Sequence, residues 1–174
     1  MRFAAVVLGL VAVANPALAF ETEEIGTLQA TFDGESIVQP TVIAKSEDET
    51  SATAFLAVIG GGMSSLSLAG YTPDNKRLGI DATYMVEEPG PESVPIDLTI
   101  TYVPEGTAEH WTSEEAPTPA SITFTTFEAD GDEGRVVGTF TAVLCHAEDY
   151  GSGADPDNCH PIEGSFDTRF FVER

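Results

Sequence analysis

The chain has 174 residues, with 29 Asp and Glu against 7 Lys and Arg, and a formal net charge of −22 with His neutral. A polymer this acidic has no clustered cations to displace counterions from phosphate backbones or to settle on anionic lipid, which excludes nucleic-acid and membrane-surface binding. The length suits one domain with a core of its own.

In chain order, the first feature is an export signal. Arg2 supplies a positive start, Phe3 to Ala14 is an apolar and small-residue run, and Ala17-Leu18-Ala19 is an A-x-A cleavage signal. Residues 1–19 therefore read as a signal peptide and residues 20–174 as a single mature domain. The apolar run ends at Asn15-Pro16, too short to cross about 30 Å of hydrocarbon. No Cys follows the cleavage site to carry a lipid. The expected location is the periplasm or the cell exterior, with no transmembrane segment in the mature form. In such a compartment paired thiols oxidise, so Cys145 and Cys159 are expected to form one disulfide. Closing a loop of that length contributes about 3 kcal/mol in the chain-entropy description.

The mature chain alternates apolar and polar residues, and helical spacing is nearly absent. Leu28, Ala30 and Phe32 share one face of a first strand, which Asp33-Gly34 turns. Thr41 to Lys45, Thr53 to Ile59 and Ser65 to Tyr71 follow, the last two joined by the turn Gly60-Gly61-Gly62. Leu78, Ile80, Ala82 and Tyr84 continue the period of two, then Glu87 to Pro95 is an acidic, Pro-rich connection. Ile96, Leu98, Ile100 and Tyr102 give the cleanest alternation in the chain. Glu105 to Pro119 interrupts it and holds the single Trp, after which Ile122, Phe124 and Thr126 resume. An acidic turn from Glu128 to Gly134 precedes a long strand from Arg135 to Cys145, and Ser165 to Val172 ends the series. About nine short strands with turns every ten residues or so predict an all-β fold, an antiparallel β-sandwich.

Five segments carry a resemblance. Ala30-Thr31-Phe32-Asp33-Gly34, Leu66-Ser67-Leu68-Ala69-Gly70-Tyr71, Ile122-Thr123-Phe124, Val137-Gly138-Thr139-Phe140-Thr141-Ala142 and Ile162-Glu163-Gly164-Ser165-Phe166-Asp167, in this order, resemble small secreted bacterial β-sandwich domains, many of them lipoproteins. The resemblance implies an immunoglobulin-like sandwich. It implies no activity and carries over no catalytic residue, because that architecture hosts many functions. The chain departs from the lipoprotein members in lacking the anchoring Cys.

Three groups of residues bear on chemistry. The doubled dipeptide Cys145-His146 and Cys159-His160 brings two imidazoles together if the cysteines are bridged. With Asp149, Asp155 or Asp157 from the intervening acidic loop, they form a candidate site for Zn²⁺ or Cu²⁺. The same loop, rich in carboxylates and glycines, is a candidate for Ca²⁺. Against this stands the simpler reading of a disulfide beside a solvated loop, since Asp and Gly serve turns in their own right. His110 and Trp111 form the third group, read either as a stacking surface for a glycan or partner, or as a cover for one end of the core. No G-x-S-x-G elbow, S-x-x-K or H-E-x-x-H occurs, so a hydrolase is the weakest reading. The sequence predicts an exported, non-catalytic binding or structural module without a resident cofactor. Its partner is a protein or a small-molecule or glycan ligand, and metal binding by the Cys145 to His160 loop is the alternative.

Overall fold

The computed structural model describes residues 21–45, 50–106 and 108–174. The signal-peptide reading of residues 1–19 lies outside the described residues. The described chain is all β: β1 (Glu21–Phe32), β2 (Glu35–Lys45), β3 (Thr50–Ala52), β4 (Ala54–Gly60), β5 (Met63–Tyr71), β6 (Arg77–Tyr84), β7 (Asp97–Val103), β8 (His110–Thr112), β9 (Ser121–Asp130), β10 (Glu133–Ala147) and β11 (Asp155–Glu173).

These strands form one sheet in the order β3-β2-β1-β11-β4-β5-β6-β7-β8-β10-β9, and a further pairing of β11 with β10 closes it into a ring. Closure depends on two long strands that divide an edge between two neighbours. One edge of β11 runs along β10, from Glu133↔Phe171 to Cys145↔Cys159. Its other edge takes β1 antiparallel over Ile162–Thr168 and then β4 in parallel over Phe171–Glu173. In the same way β10 divides its second edge between β9, at Glu133–Thr141, and β8, at Cys145–Ala147. The arm β3-β2-β1 leaves the ring at β11, and β9 leaves it at β10.

This corrects two expectations. Eleven strands replace the expected nine, and a mixed, closed sheet with one parallel pairing replaces a wholly antiparallel sandwich of the immunoglobulin type. Strands such as β3 and β8 span three residues each, below the length at which a period of two can be read. Parallel pairing of β11 with β4 depends on tertiary placement and leaves no local pattern.

The core lies inside the ring. Leu28, Leu66, Leu68, Leu78, Ile80, Ile100 and Leu144 are fully buried there, with Phe140, Phe166 and Phe170 close to it; each such side chain contributes roughly 1.5–3 kcal/mol of burial. The β10–β11 ladder is built from glycine–phenylalanine pairs: Gly134↔Phe170, Gly138↔Phe166 and Phe140↔Gly164. Each ring folds over the glycine opposite it. A Cβ at Gly138 would sit 2.6 Å from the Phe166 ring, and one at Gly164 would sit 2.5 Å from Phe140. The small residue is therefore what lets the aromatic one lie flat.

Two polar ties from β2 cross this core. The Thr41 and Thr168 hydroxyls lie 2.6 Å apart, and the Leu78 amide donates to Gln39 Oε1 at 2.6 Å. Gln39, Thr41 and Thr168 are all buried, and buried polar atoms are stabilising only when paired in this way. The Tyr84 hydroxyl is an exception: it is buried with no hydrogen-bond partner among the described residues. Burial alone raises its pKa.

Candidate functional site

Two regions could carry function: the end of the ring that holds the residues singled out from the sequence, and the seam beside β9.

At the first, Cys145 and Cys159 are directly opposed in the β10–β11 register and form the expected disulfide, with Cα atoms 4.0 Å apart. Alternation along β10 puts Leu144 and His146 on the inner side and Cys145 on the other. His160 is paired with Leu144 and shares that inner side. Both imidazoles thus converge on the end of the core. Between them lies Trp111, whose ring centroid is 5.1 Å from that of His146 and 5.2 Å from that of His160, each edge-on. Phe32 completes the cluster 5.1 Å from Trp111, with Tyr102 5.5 Å from Phe32.

Each histidine has its own carboxylate, and neither comes from the Cys145 to His160 loop. His146 Nε2 is 2.7 Å from Glu109 Oε1, and His160 Nδ1 is 3.3 Å from Asp33 Oδ1. Asp33 is held in the β1–β2 turn with φ of 49°, a left-handed conformation that Asp tolerates better than most residues. The loop aspartates bond locally. Asp149 Oδ1 accepts the Gly151 and Ser152 amides at 2.7 and 2.8 Å. Those amides hold its carboxyl below the ordinary aspartate range. Asp155 Oδ1 accepts the Asp157 amide at 3.0 Å. Among the described residues, no three His, Cys, Asp or Glu side chains come together as a metal-holding group. The loop is also shorter than it reads in sequence, because β11 begins at Asp155 and the bend is confined to residues 148–154.

His110 and Trp111 part company, as strand neighbours do. The Trp111 indole packs against the core. His110 is buried on the other side, its Nδ1 2.9 Å from the Ala108 carbonyl and its ring stacked on Tyr150 at 4.5 Å. The Tyr150 hydroxyl in turn accepts from Arg77 at 3.3 Å. Trp111 therefore covers one end of the core. A histidine with a carboxylate is two parts of a nucleophilic triad. Among the described hydrogen bonds, however, neither His146 nor His160 meets a hydroxyl, and both cysteines are in the disulfide.

The second region was not singled out from the sequence. β9 pairs with β10 alone and ends the sheet order, so its outer edge has unspent backbone groups among the described residues. Alongside runs the β6–β7 connection, Met85 to Ile96. A hollow of about 200 Å³ separates Glu87 and Glu88 from Ala129 at one end of β9. At the other end, a slot of about 370 Å³ is bounded by Val94 to Leu98 on one side and Pro119 to Ile122 on the other. Val94 and Ile96 stand 82% and 59% exposed at its rim. Among the described residues, Asp97 to Thr99 of β7 have no strand partner on this side, since β8 pairs with Thr101 and Tyr102 and Ile100 is bonded through its N–H and carbonyl to Ser113. The sequence did hold a signal: Ile96 and Leu98 continue the apolar alternation of β7 beyond the point where the core ends.

No family model, curated protein or solved structure matches the chain. A reading of its function rests on the geometry of these two regions.

Proposed function

We propose that the protein is an exported, non-catalytic binding module whose partner joins it by strand addition along β9. The observation that carries this reading is the outer edge of β9, unpaired among the described residues, beside a slot lined in part by Val94, Ile96, Leu98 and Ile122. An edge strand with free N–H and C=O groups is a template for another chain, and pockets beside it select the side chains of the incoming strand. Export is supported by the signal-like N-terminus, by the Cys145–Cys159 disulfide and by the acidic composition. No helix among the described residues is long and apolar enough to cross a membrane.

The test is selection of linear peptides on the mature protein, followed by mapping of the selected ligands through backbone amide shifts. Perturbation along Ser121–Asp130 is expected. Ligands that instead perturb only Trp111 and its neighbours would overturn the assignment of the binding edge.

A second reading is kept by one observation, the placement of His146 and His160 on the inner side around Trp111, each beside a carboxylate oxygen. On this reading each His–carboxylate pair would supply two ligands of a transition-metal site, short of the three-residue group that is absent among the described residues. Calorimetric titration with Zn²⁺ and Cu²⁺ decides it. Equal heats from wild type and from a His146→Ala, His160→Ala double variant would remove it.

A further inference from the structure

The charge around the β9 edge narrows the partner that could add there. This inference rests on the strand-addition reading and adds the chemistry of the occupant. Asp97 at the start of β7 lines the slot, Glu87 and Glu88 on the β6–β7 connection line the hollow at the other end of β9, and Glu128 and Asp130 are exposed on β9 itself, Glu128 opposite Arg135. Arg174 sits at the far hollow, where it is already paired with Asp132 at 3.1 Å. The slot itself is of mixed character: Val94, Ile96, Leu98 and Ile122 line it together with Asp97, Ser113 and Ser121. Edge and slot therefore present three matched demands: backbone hydrogen bonds, alternate apolar side chains, and positive charge on the side chains between them. A second copy of this chain fails the last demand, since each copy carries −22 and would bring Glu128 and Asp130 to the same edge.

We propose that the slot between β7 and β9 takes an extended segment of a partner protein in which apolar residues alternate with Lys or Arg, its backbone adding to β9 beside Ser121–Phe124. The apolar residues enter the slot by Ile96 and Ile122. The cation at the mouth of the slot meets Asp97. The β-bulge opposite Val137 and Gly138 limits the added strand to the first half of β9, because a bulge bends the edge and breaks its hydrogen-bond spacing.

The test uses the mature protein and three synthetic seven-residue probes of the pattern X-Val-X-Val-X-Val-X, with X as Lys, Ser or Glu. A fourth probe repeats the Lys peptide with N-methyl groups on alternate residues, which keeps the charge and removes the amides a sheet edge needs. The Lys probe is expected to bind at least about tenfold more tightly than the Glu probe, to weaken as salt screens the rim, and to shift the amides of Ser121–Phe124. Asp97→Asn should lower Lys-probe affinity while leaving the Ser probe unchanged. Equal binding of the Lys, Ser and Glu probes at β9 would overturn the cationic partner while strand addition stands. Full binding of the N-methylated probe, or shifts scattered over the acidic surface with none on β9, would overturn strand addition itself.

Discussion

The ring is closed in two contrasting ways. Along β10 and β11 the seam is continuous: pairs run from Glu133 to His146, three phenylalanines lie over three glycines, and a disulfide fixes the end. Beside β9 the wall is completed by an irregular, Pro-rich connection. Two hollows remain there, and Tyr84, whose hydroxyl lacks a partner, packs edge-on against Phe127 of β9 at 6.1 Å. The difference teaches how one small chain separates stability from availability. Interactions that hold the fold are concentrated where no partner can enter, so the opposite seam can leave its backbone groups unspent.

Perturbing the closed seam should give the largest effects. Phe140→Ala removes a buried ring and strips the cover from Gly164, and is expected to cost about 3–5 kcal/mol in chemical denaturation. A loss under about 1 kcal/mol would mean that the glycine–phenylalanine ladder is not the stabilising element. Replacing both Cys145 and Cys159 by Ser should cost about 2–4 kcal/mol. The loss should appear equally in the wild-type protein after reduction. On the open seam, proline at Ile122 and, separately, at Thr123 sharpens the contrast. One of these neighbours turns its amide to β10, the other to the free edge. One variant should lose stability by about 3 kcal/mol, and the other should remain within about 1 kcal/mol of wild type. Equal, large losses would show that the outer edge of β9 is already paired.

A smaller change is expected from Tyr84→Phe. The hydroxyl pays desolvation without a hydrogen bond, so its removal should be neutral or stabilising by up to about 1 kcal/mol. Destabilisation would reveal a partner for that oxygen and make the open seam tighter than described. The smallest effect belongs to Asp149. Its carboxyl is lowered by the Gly151 and Ser152 amides, so its turn is held above the ordinary aspartate range and lost as pH falls through the depressed value. The amide shifts of Gly151 and Ser152 should titrate together with a midpoint below 3.8, the ordinary value for Asp. A midpoint at or above that value would show that the turn is not held by this carboxylate.

Much of the fold is legible in the sequence, and the limits have physical causes. The alternation of Leu78, Ile80, Ala82 and Tyr84 gives β6 and its buried face directly, because half-buried strands write their burial with a period of two. The disulfide follows from compartment and cysteine count. What alternation does not encode is which edges meet. The parallel join of β11 to β4 and the closure of the ring are set by tertiary placement of distant segments. The alternation places the last strand at Ser165 to Val172, yet pairing with β10 extends β11 back to Asp155. At the histidine cluster, the sequence brings out His146 and His160 through their repeat but not Glu109 or Asp33, which flank the neighbouring strands β8 and β1 and are brought alongside only by strand pairing. Ile96 illustrates a pattern that was present and pointed elsewhere: its apolar phase continues that of β7, but its side chain faces the slot.

β11 also sets the order of events in folding. Its partners β1, β4 and β10 all precede it, and the pairing of Gly26 with Thr168 joins segments from nearly opposite ends of the described chain. A nascent polypeptide can form hairpins such as β5–β6 as it emerges, but the ring stays open until residues 155–173 have been synthesised. Contacts of such long range also form slowly. The chain is thus kept from completing its fold until its last strand has been made.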